Sequence, residues 1–422
     1  MNLLKILVFN DYAYVEGGAG KVAIESAKEL AEKGHEVIFF SAVGPVSKEL
    51  SESKIKKIIC LGQRDLLNSS NKLDSIISGI NNSQAVKKFK ELLSEWKPDI
   101  AHFHGVSKAL SWIPISMANS YNIPTVYTLH DFGLLCPNMA LYDFKAEKQC
   151  FFYEDGKALK CLLTNCDKRN YPQKLWRYFR FHYTKDVLKI YKKIDGFIAV
   201  SNSVKEIYKN FIPSSKEIRV INNPIKDIDS NAISKTVFKT QNYLTTFLYI
   251  GRLSAEKGID LLLEAIKEVD AKLIIVGSGE MDKLCRDTKS KIDKEKIEIL
   301  GWLDEDKIHN LMTQCDAVIL PSKAKETSGI IIKEAAGYYL PSIVPDQGGV
   351  MEFVADGING LYFKSGNKSS LVKAMQRFVD DSALSKKLGA EARKSYEGYY
   401  SEASKYVEYL EEFYKEIIKN KS

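Results

Sequence analysis

The chain has 422 residues, of which 45% are apolar and 27% charged. That balance excludes wholesale disorder, and the length exceeds what one ordinary core uses, so two or three domains are expected. With 11 prolines and 25 glycines the chain is neither collagen-like nor low-complexity, and no run approaches the ~18 apolar residues of a membrane-spanning helix. Lys and Arg number 61 against 54 Asp and Glu, a net charge of +7, too mild to mark a nucleic-acid binder.

The N-terminus, MNLLKILVFNDY, reads as a buried strand followed by Asp11, not as a secretory leader with a small-residue cleavage site. A cytoplasmic protein is expected, at most peripheral at the inner face of the cell membrane. Seven cysteines without a leader suggest thiols or a metal cluster rather than a disulfide framework.

Short β-rich runs alternate with longer amphipathic ones. Strands are predicted at 4–9, 36–40, 55–60, 99–104, 125–130, 196–200 and 218–221, with helical patterns at 21–33 and 86–96 among them. Such alternation implies a parallel sheet covered by crossover helices. Residues 222–240 are polar and unpatterned and read as a linker. A second series follows, with strands at 247–250, 272–276, 297–300, 317–320, 342–344 and 360–363, and helices at 258–269, 305–314 and 331–339. A final helix, 401–419, is rich in Tyr and Glu. The expected architecture is α/β, with two Rossmann-like doubly wound domains.

Ligands of open parallel sheets bind beyond the carboxyl ends of the strands, so the residues after each strand carry the chemistry. Gly17, Gly18 and Gly20 follow the first strand and open a helix, which reads either as a phosphate loop or as a tight turn. A P-loop is excluded, since Val15 and Val22 stand where its Gly and Ser/Thr belong. In GRLSAEKG, Arg252 and Lys257 place two cations at a strand end, where they suit a diphosphate without a metal. In ETSGIIIKE, Glu326 precedes a helix and Glu334 lies about one turn inside it, with Gly329 between. Gly348, Gly349 and Glu352 follow the next strand.

Taken together, GGAGK after the first strand, LHD at 129–131, GRLSAEKG, ETSGIIIKE and GGVME resemble the retaining glycosyltransferases of family four, which have the GT-B fold. The resemblance covers nearly the whole chain. It implies two lobes facing each other across a cleft: an acceptor-side domain at 1–225 with an insertion at about 132–185, a linker at 226–240, a nucleotide-sugar domain at 241–398, and a tail at 399–422 crossing back to the first lobe. It implies that Arg252 and Lys257 hold the donor diphosphate and stabilise the leaving group, that Glu326 lies beside the transferred sugar, and that Glu334 holds the ribose hydroxyls. The backbone of Ser328, Gly329, Ile330 and Ile331, with Gly17 and Gly18, would cradle phosphate. His130 would face the reaction centre, Trp302 would stack on the base, and His104 and Asp131 are acceptor-side candidates. The implied donor is a nucleotide-sugar, with a UDP-sugar expected. No cofactor is required, and the acceptor is an oligosaccharide or a lipid-linked one in surface polysaccharide synthesis. No D-x-D signature for a metal-bound diphosphate is present.

Two features lie outside this pattern. Cys136, Cys150, Cys161 and Cys166 cluster in the insertion, but their spacing is looser than that of paired zinc ligands, so they are weak metal candidates. Residues 160–193 hold ten basic and two acidic side chains interleaved with aromatics. That pattern reads as a solvated helix face or as a contact with an anionic membrane or a lipid diphosphate, with no nucleic-acid module beside it. Two rival functions remain on sequence grounds: a non-catalytic partner subunit of a glycosylation complex, and a nucleotide-sugar epimerase on the same fold.

Overall fold

The computed structural model describes residues 3–64, 72–152, 156, 158–229, 244–292 and 295–421. Most of the linker expected at 226–240 lies outside the described residues. The chain divides into two units. The first holds residues 1–141, 151–224 and 404–422, and the second holds 142–150 and 225–403.

In chain order the strands are β1 (Lys5–Phe9), β2 (Glu36–Val43), β3 (Lys57–Gln63), β4 (Ile100–Phe103), β5 (Thr125–Leu129), the two-residue strands β6 (Tyr142–Asp143) and β7 (Lys148–Gln149), β8 (Gly196–Ala199) and β9 (Glu217–Val220). The second series is β10 (Thr246–Ile250), β11 (Lys272–Val276), β12 (Ile297–Gly301), β13 (Ala317–Ile319), β14 (Ser342–Pro345) and β15 (Gly360–Phe363). The sheet orders are β3-β2-β1-β4-β5-β8-β9 and β12-β11-β10-β13-β14-β15. Every pairing in these two sheets is parallel. Both orders reverse direction after the first strand laid down, between β1 and β4 and between β10 and β13, as in doubly wound nucleotide-binding sheets.

Sequence explains the strands directly. After their first residue, KILVF and TFLYI are continuous apolar runs, and all but an end residue of each strand are buried, as a strand covered on both faces requires. Two elements escaped the pattern. The β6–β7 hairpin is too short to show periodicity, and it belongs to the second unit although its neighbours in sequence belong to the first. The tail is two helices, Leu384–Ala403 in the second unit and Tyr406–Lys421 in the first, where a single helix over 401–419 is expected from sequence.

The last helix is bound into the first unit by buried polar contacts. Tyr414 Oη lies 2.6 Å from His102 Nδ1, Tyr406 Oη 2.7 Å from Ser26 Oγ, and His35 Nε2 2.8 Å from Glu411 Oε1. Leu410, Phe413 and Ile417 on the same helix are buried as well. Removing one partner of a buried hydrogen bond costs about 1–3 kcal/mol. A Tyr414→Phe variant is therefore expected to lower the denaturant midpoint of the first unit without altering the slope of the transition, measured by urea unfolding.

Candidate active site

The second unit brings several charged side chains together at its strand ends. After β10 the chain turns through Gly251–Gly258, and after β13 through Leu320–Glu326, so the two loops flank the reversal of strand order. They touch closely: Gly258 has φ +69°, and a Cβ there would sit 1.9 Å from the Pro321 carbonyl oxygen. Lys257, one residue earlier, places its Nζ 2.7 Å from Glu326 Oε1. Ser322 Oγ bonds the same carboxylate oxygen. Burial opposes charge on Glu326, but the Lys257 ammonium, its hydrogen bond and that of Ser322, and the Arg252 guanidinium together hold its pKa below the ordinary carboxylate value. Glu326 is therefore an anion within a cationic frame. Arg252 is exposed at the loop's start, where its carbonyl accepts from Tyr249 Oη at 2.7 Å.

The glycine pair after β14 packs on the backbone of Glu326. Gly349 N donates to the Glu326 carbonyl at 2.8 Å, and a Cβ on Gly348 would lie 2.6 Å from that same oxygen. Gly329 caps the helix Ile330–Gly337 in the left-handed region, φ +65°, so the first N–H groups of that helix are presented at a positive end. Ser328 is buried and Glu334, within the helix, is 9% exposed. Trp302 follows β12 and Gly301 and is 74% exposed. Arg252, Lys257, Glu326, Ser328, Gly329, Ile330, Ile331, Glu334 and Trp302 thus all belong to one unit, on the loops that follow β10, β12 and β13 and on the helix Ile330–Gly337.

In the first unit, Gly17 and Gly18 are exposed, with Gly18 opening the helix Gly18–Glu32. His130 follows β5, and its Nε2 lies 2.9 Å from His104 Nδ1. His104 itself is buried, behind His130, and its ring packs 4.1 Å from that of His102. His102 is a core residue held by Tyr414 and by Thr128 Oγ1 at 2.7 Å. Burial pushes His102 and His130 down to about 3 and His104 well below its ordinary value. Asp131 turns its Oδ1 to Gly133 N at 2.7 Å, and burial raises its pKa.

Sequence reading missed Asp11, Ser322 and Lys333. Asp11 accepts from the backbone N–H groups of Lys108, Ala109 and Leu110 at 2.7, 2.9 and 2.7 Å, tying the loop after β4 to the end of β1. Burial raises it to about 6. Asp11 and Ser322 both come just after a strand, which is the signal that would have found them. Lys333 sits within an apolar helix, where only its charge marks it.

The insertion corrects the picture of a solvated basic helix. On the helix Tyr171–His182, Lys174 is 0% exposed and donates to Cys161 Sγ at 3.1 Å. Its charge survives burial because the sulfurs of Cys166, Cys161 and Cys136 face it. Arg177 pairs with buried Asp167 at 3.2 Å, and Arg180 donates to the Ser107 carbonyl at 2.7 Å while stacking on Trp176. These three cations point inward, so they do not form the charged face that a membrane would meet. Cys150 ends the hairpin segment of the second unit. Among the described residues no three His, Cys, Asp or Glu side chains are grouped to hold a metal ion, and Lys174 already supplies a cation to the thiols.

The depressed histidines set a pH dependence. A base whose folded pKa lies below its unfolded value of ~6.5 contributes stability that is complete above pH 6.5 and lost as pH falls toward 3. Compared with a His130→Gln variant, the wild-type protein is expected to lose stability below pH 6.5 by up to about 1.4 kcal/mol per pH unit. The measurement is urea unfolding of both proteins from pH 7.5 to 4.5, and parallel curves would refute it.

Comparison with known proteins places this geometry. Residues 16–227 match the family described as Glycosyltransferase Family 4, and residues 233–395 match Glycosyl transferases group 1. An uncharacterized glycosyltransferase of Methanocaldococcus jannaschii is 23% identical over 73% of this chain and 80% of its own. The glycogen synthase of Mycobacterium tuberculosis is 23% identical over 90% of this chain and 86% of its own. Among solved structures, Anabaena HepE in complex with UDP-glucose has a TM-score of 0.70 at 19% identity, covering 98% of this chain and 100% of that one. WaaG, a glycosyltransferase involved in lipopolysaccharide biosynthesis, has a TM-score of 0.63 at 16% identity over 95% and 98%. The two Rossmann-like sheets are those of the GT-B fold, and the chain belongs to glycosyltransferase family 4.

Proposed function

We propose that this glycosyltransferase moves a sugar from a nucleotide-sugar, a UDP-sugar by preference, to a lipid-linked oligosaccharide of a surface polysaccharide, with retention of configuration and without a metal. The observation that carries the donor half is the Lys257–Glu326 contact of 2.7 Å at the strand-order reversal, with Arg252 beside it. Glycosyl transfer builds positive charge on the sugar and negative charge on the departing phosphate. Arg252, Lys257 and the helix N-terminus at Gly329 suit the phosphate, because preorganised donors stabilise charge as it develops. Glu326, held ionised, suits the positive sugar and the acceptance of hydroxyl hydrogen bonds; an ionised carboxylate has no proton to give the leaving group. Glu334 is assigned to the ribose, Trp302 to the base, and Ser328–Ile331 to phosphate. In the first unit, neutral His130, backed by His104, is assigned to the reaction centre, Gly17 and Gly18 to phosphate, and Asp131 to the acceptor. Retention rests on family resemblance alone.

Support for the acceptor is coarser. A Klebsiella pneumoniae protein from a cps region is 25% identical over 77% of this chain and 80% of its own. Among the described residues no helix is long and apolar enough to cross a membrane. Leu159, Leu163, Phe179 and Val187 are exposed in the insertion and its sequel, amid exposed Lys160, Arg169, Lys185, Lys189 and Lys192. That mixture suits an anionic lipid surface, each cation contributing about 1 kcal/mol.

Two experiments test this reading. Release of UDP from UDP-sugars should persist in excess EDTA, and Arg252→Ala should slow it by about 10²–10³ at saturating donor, the scale of a lost oxyanion donor. Glu334→Gln should mainly raise KM, because its contact is the same in ground and transition states. Near-normal turnover in Arg252→Ala, or loss of activity in EDTA, would refute the leaving-group site. For the surface, reversing Lys185, Lys189 and Lys192 to Glu should abolish sedimentation with anionic vesicles at low salt, and unchanged binding would remove the membrane from the proposal.

A further inference from the structure

Lys333 lies on the helix Ile330–Gly337 and is 4% exposed. Helical side chains lean toward the N-terminus of their helix, and this one reaches back past the first turn. Its Nζ donates to Ser328 Oγ at 3.0 Å and lies 4.1 Å from the centre of the Tyr399 ring. Ser328 is itself 3% exposed, so the ammonium, the hydroxyl and the ring form a closed packet beneath the turn Ser328–Ile331. A buried ammonium is costly unless an opposite charge answers it. Burial brings Lys333 down to about 7, and Glu352 is the charge that favours its protonated form.

Among the described residues, the other ionisable groups around this helix do not answer it. Glu326 is held by Lys257. Arg393, on the helix Leu384–Ala403, donates to the carbonyls of Ile228 and Gly337 at the far end. Tyr396, on the same helix, is raised to about 12 and neutral. His309 packs 4.9 Å from Tyr338, also beyond the far end. Glu334 follows Lys333 in the helix and is assigned to the ribose. The positive end of the helix adds to the repulsion on Lys333. What would favour the ammonium is an anion on the other side of Ser328.

We propose that Lys333 is a positioning residue that charges the phosphate turn from behind, taking up a proton when the diphosphate of the donor binds. This rests on the reading of the second unit as a nucleotide-sugar site. The sign follows from linkage. A bound anion raises the pKa of Lys333, so affinity is greatest below the free-state value, and falls as pH rises through the window between the free and bound values. Lys333 acts through Ser328 and the turn, not by touching the reacting atoms.

Calorimetric titration with UDP tests it. Measurements run from pH 7 to 9, where the terminal phosphate, with a second ionisation near ~6, is already charged. Heats in HEPES and in Tris, which differ in ionisation enthalpy, give the protons exchanged. The wild type should take up a fraction of a proton at pH 8, and its Kd should rise about five- to tenfold across the range, the scale of an ordinary coupling. Lys333→Met should take up none, with a flat and weaker Kd. Lys333→Arg, which keeps the charge, should bind tightly with a flat Kd, and it serves if the Met variant does not fold. Proton uptake retained in either variant, or a wild-type Kd independent of pH, overturns the proposal while leaving the nucleotide site standing. Failure of the wild type to bind UDP overturns both.

Discussion

The second unit depends on the approach of two loops across the point where its strand order reverses. Gly258 is pressed so near the Pro321 carbonyl that any side chain there would meet it at 1.9 Å. That approach puts the ammonium of Lys257 on the carboxylate of Glu326, 69 residues away in sequence. Gly348 packs with similar closeness on the backbone of Glu326. The loops after three strands are thus fixed against one residue, Glu326. A site that must answer charge as it develops gains most from groups that need not move.

The first unit solves the same topological problem differently. At its reversal Asp11 bonds three successive backbone N–H groups of the loop after β4. The Lys108 ammonium is only a minor influence on this carboxylate; the largest is burial, and its pKa is raised where that of Glu326 is lowered. Beside it runs a buried line from Tyr414 through His102 and His104 to His130. The line ties the final helix of the chain to the end of β5, so a C-terminal segment supports a loop assigned to chemistry. Neutral imidazoles suit this, since a charge in that line would have no solvent to answer it.

The charges of the insertion show how far composition can mislead. Counted along the sequence, 160–193 is strongly basic. In space Lys174, Arg177 and Arg180 are spent on thiols, on Asp167 and on a backbone carbonyl. The outward charge comes from other residues of the same segment, and exposed Leu159, Leu163, Phe179 and Val187 stand among them.

The architecture was legible in the chain itself, because strands buried on both faces must be continuous apolar runs and the loops after them must turn with glycine. KILVF, TFLYI, GRLSAEKG and ETSGIIIKE carry that information locally, within a few residues. The sequence also placed Arg252, Lys257 and Glu326 beyond strand ends and Glu334 about one turn inside a helix. It did not contain the β6–β7 hairpin, whose two-residue strands have no period and whose place in the second unit follows from packing alone. Nor did it reveal which cations face inward, that the tail divides near Ser404, or that Lys333 is buried against Ser328 and Tyr399. Burial and the identity of a partner depend on residues far away in sequence. Local pattern fixes the elements and the ends from which side chains project; only the tertiary structure decides which charges are buried and which partners they meet.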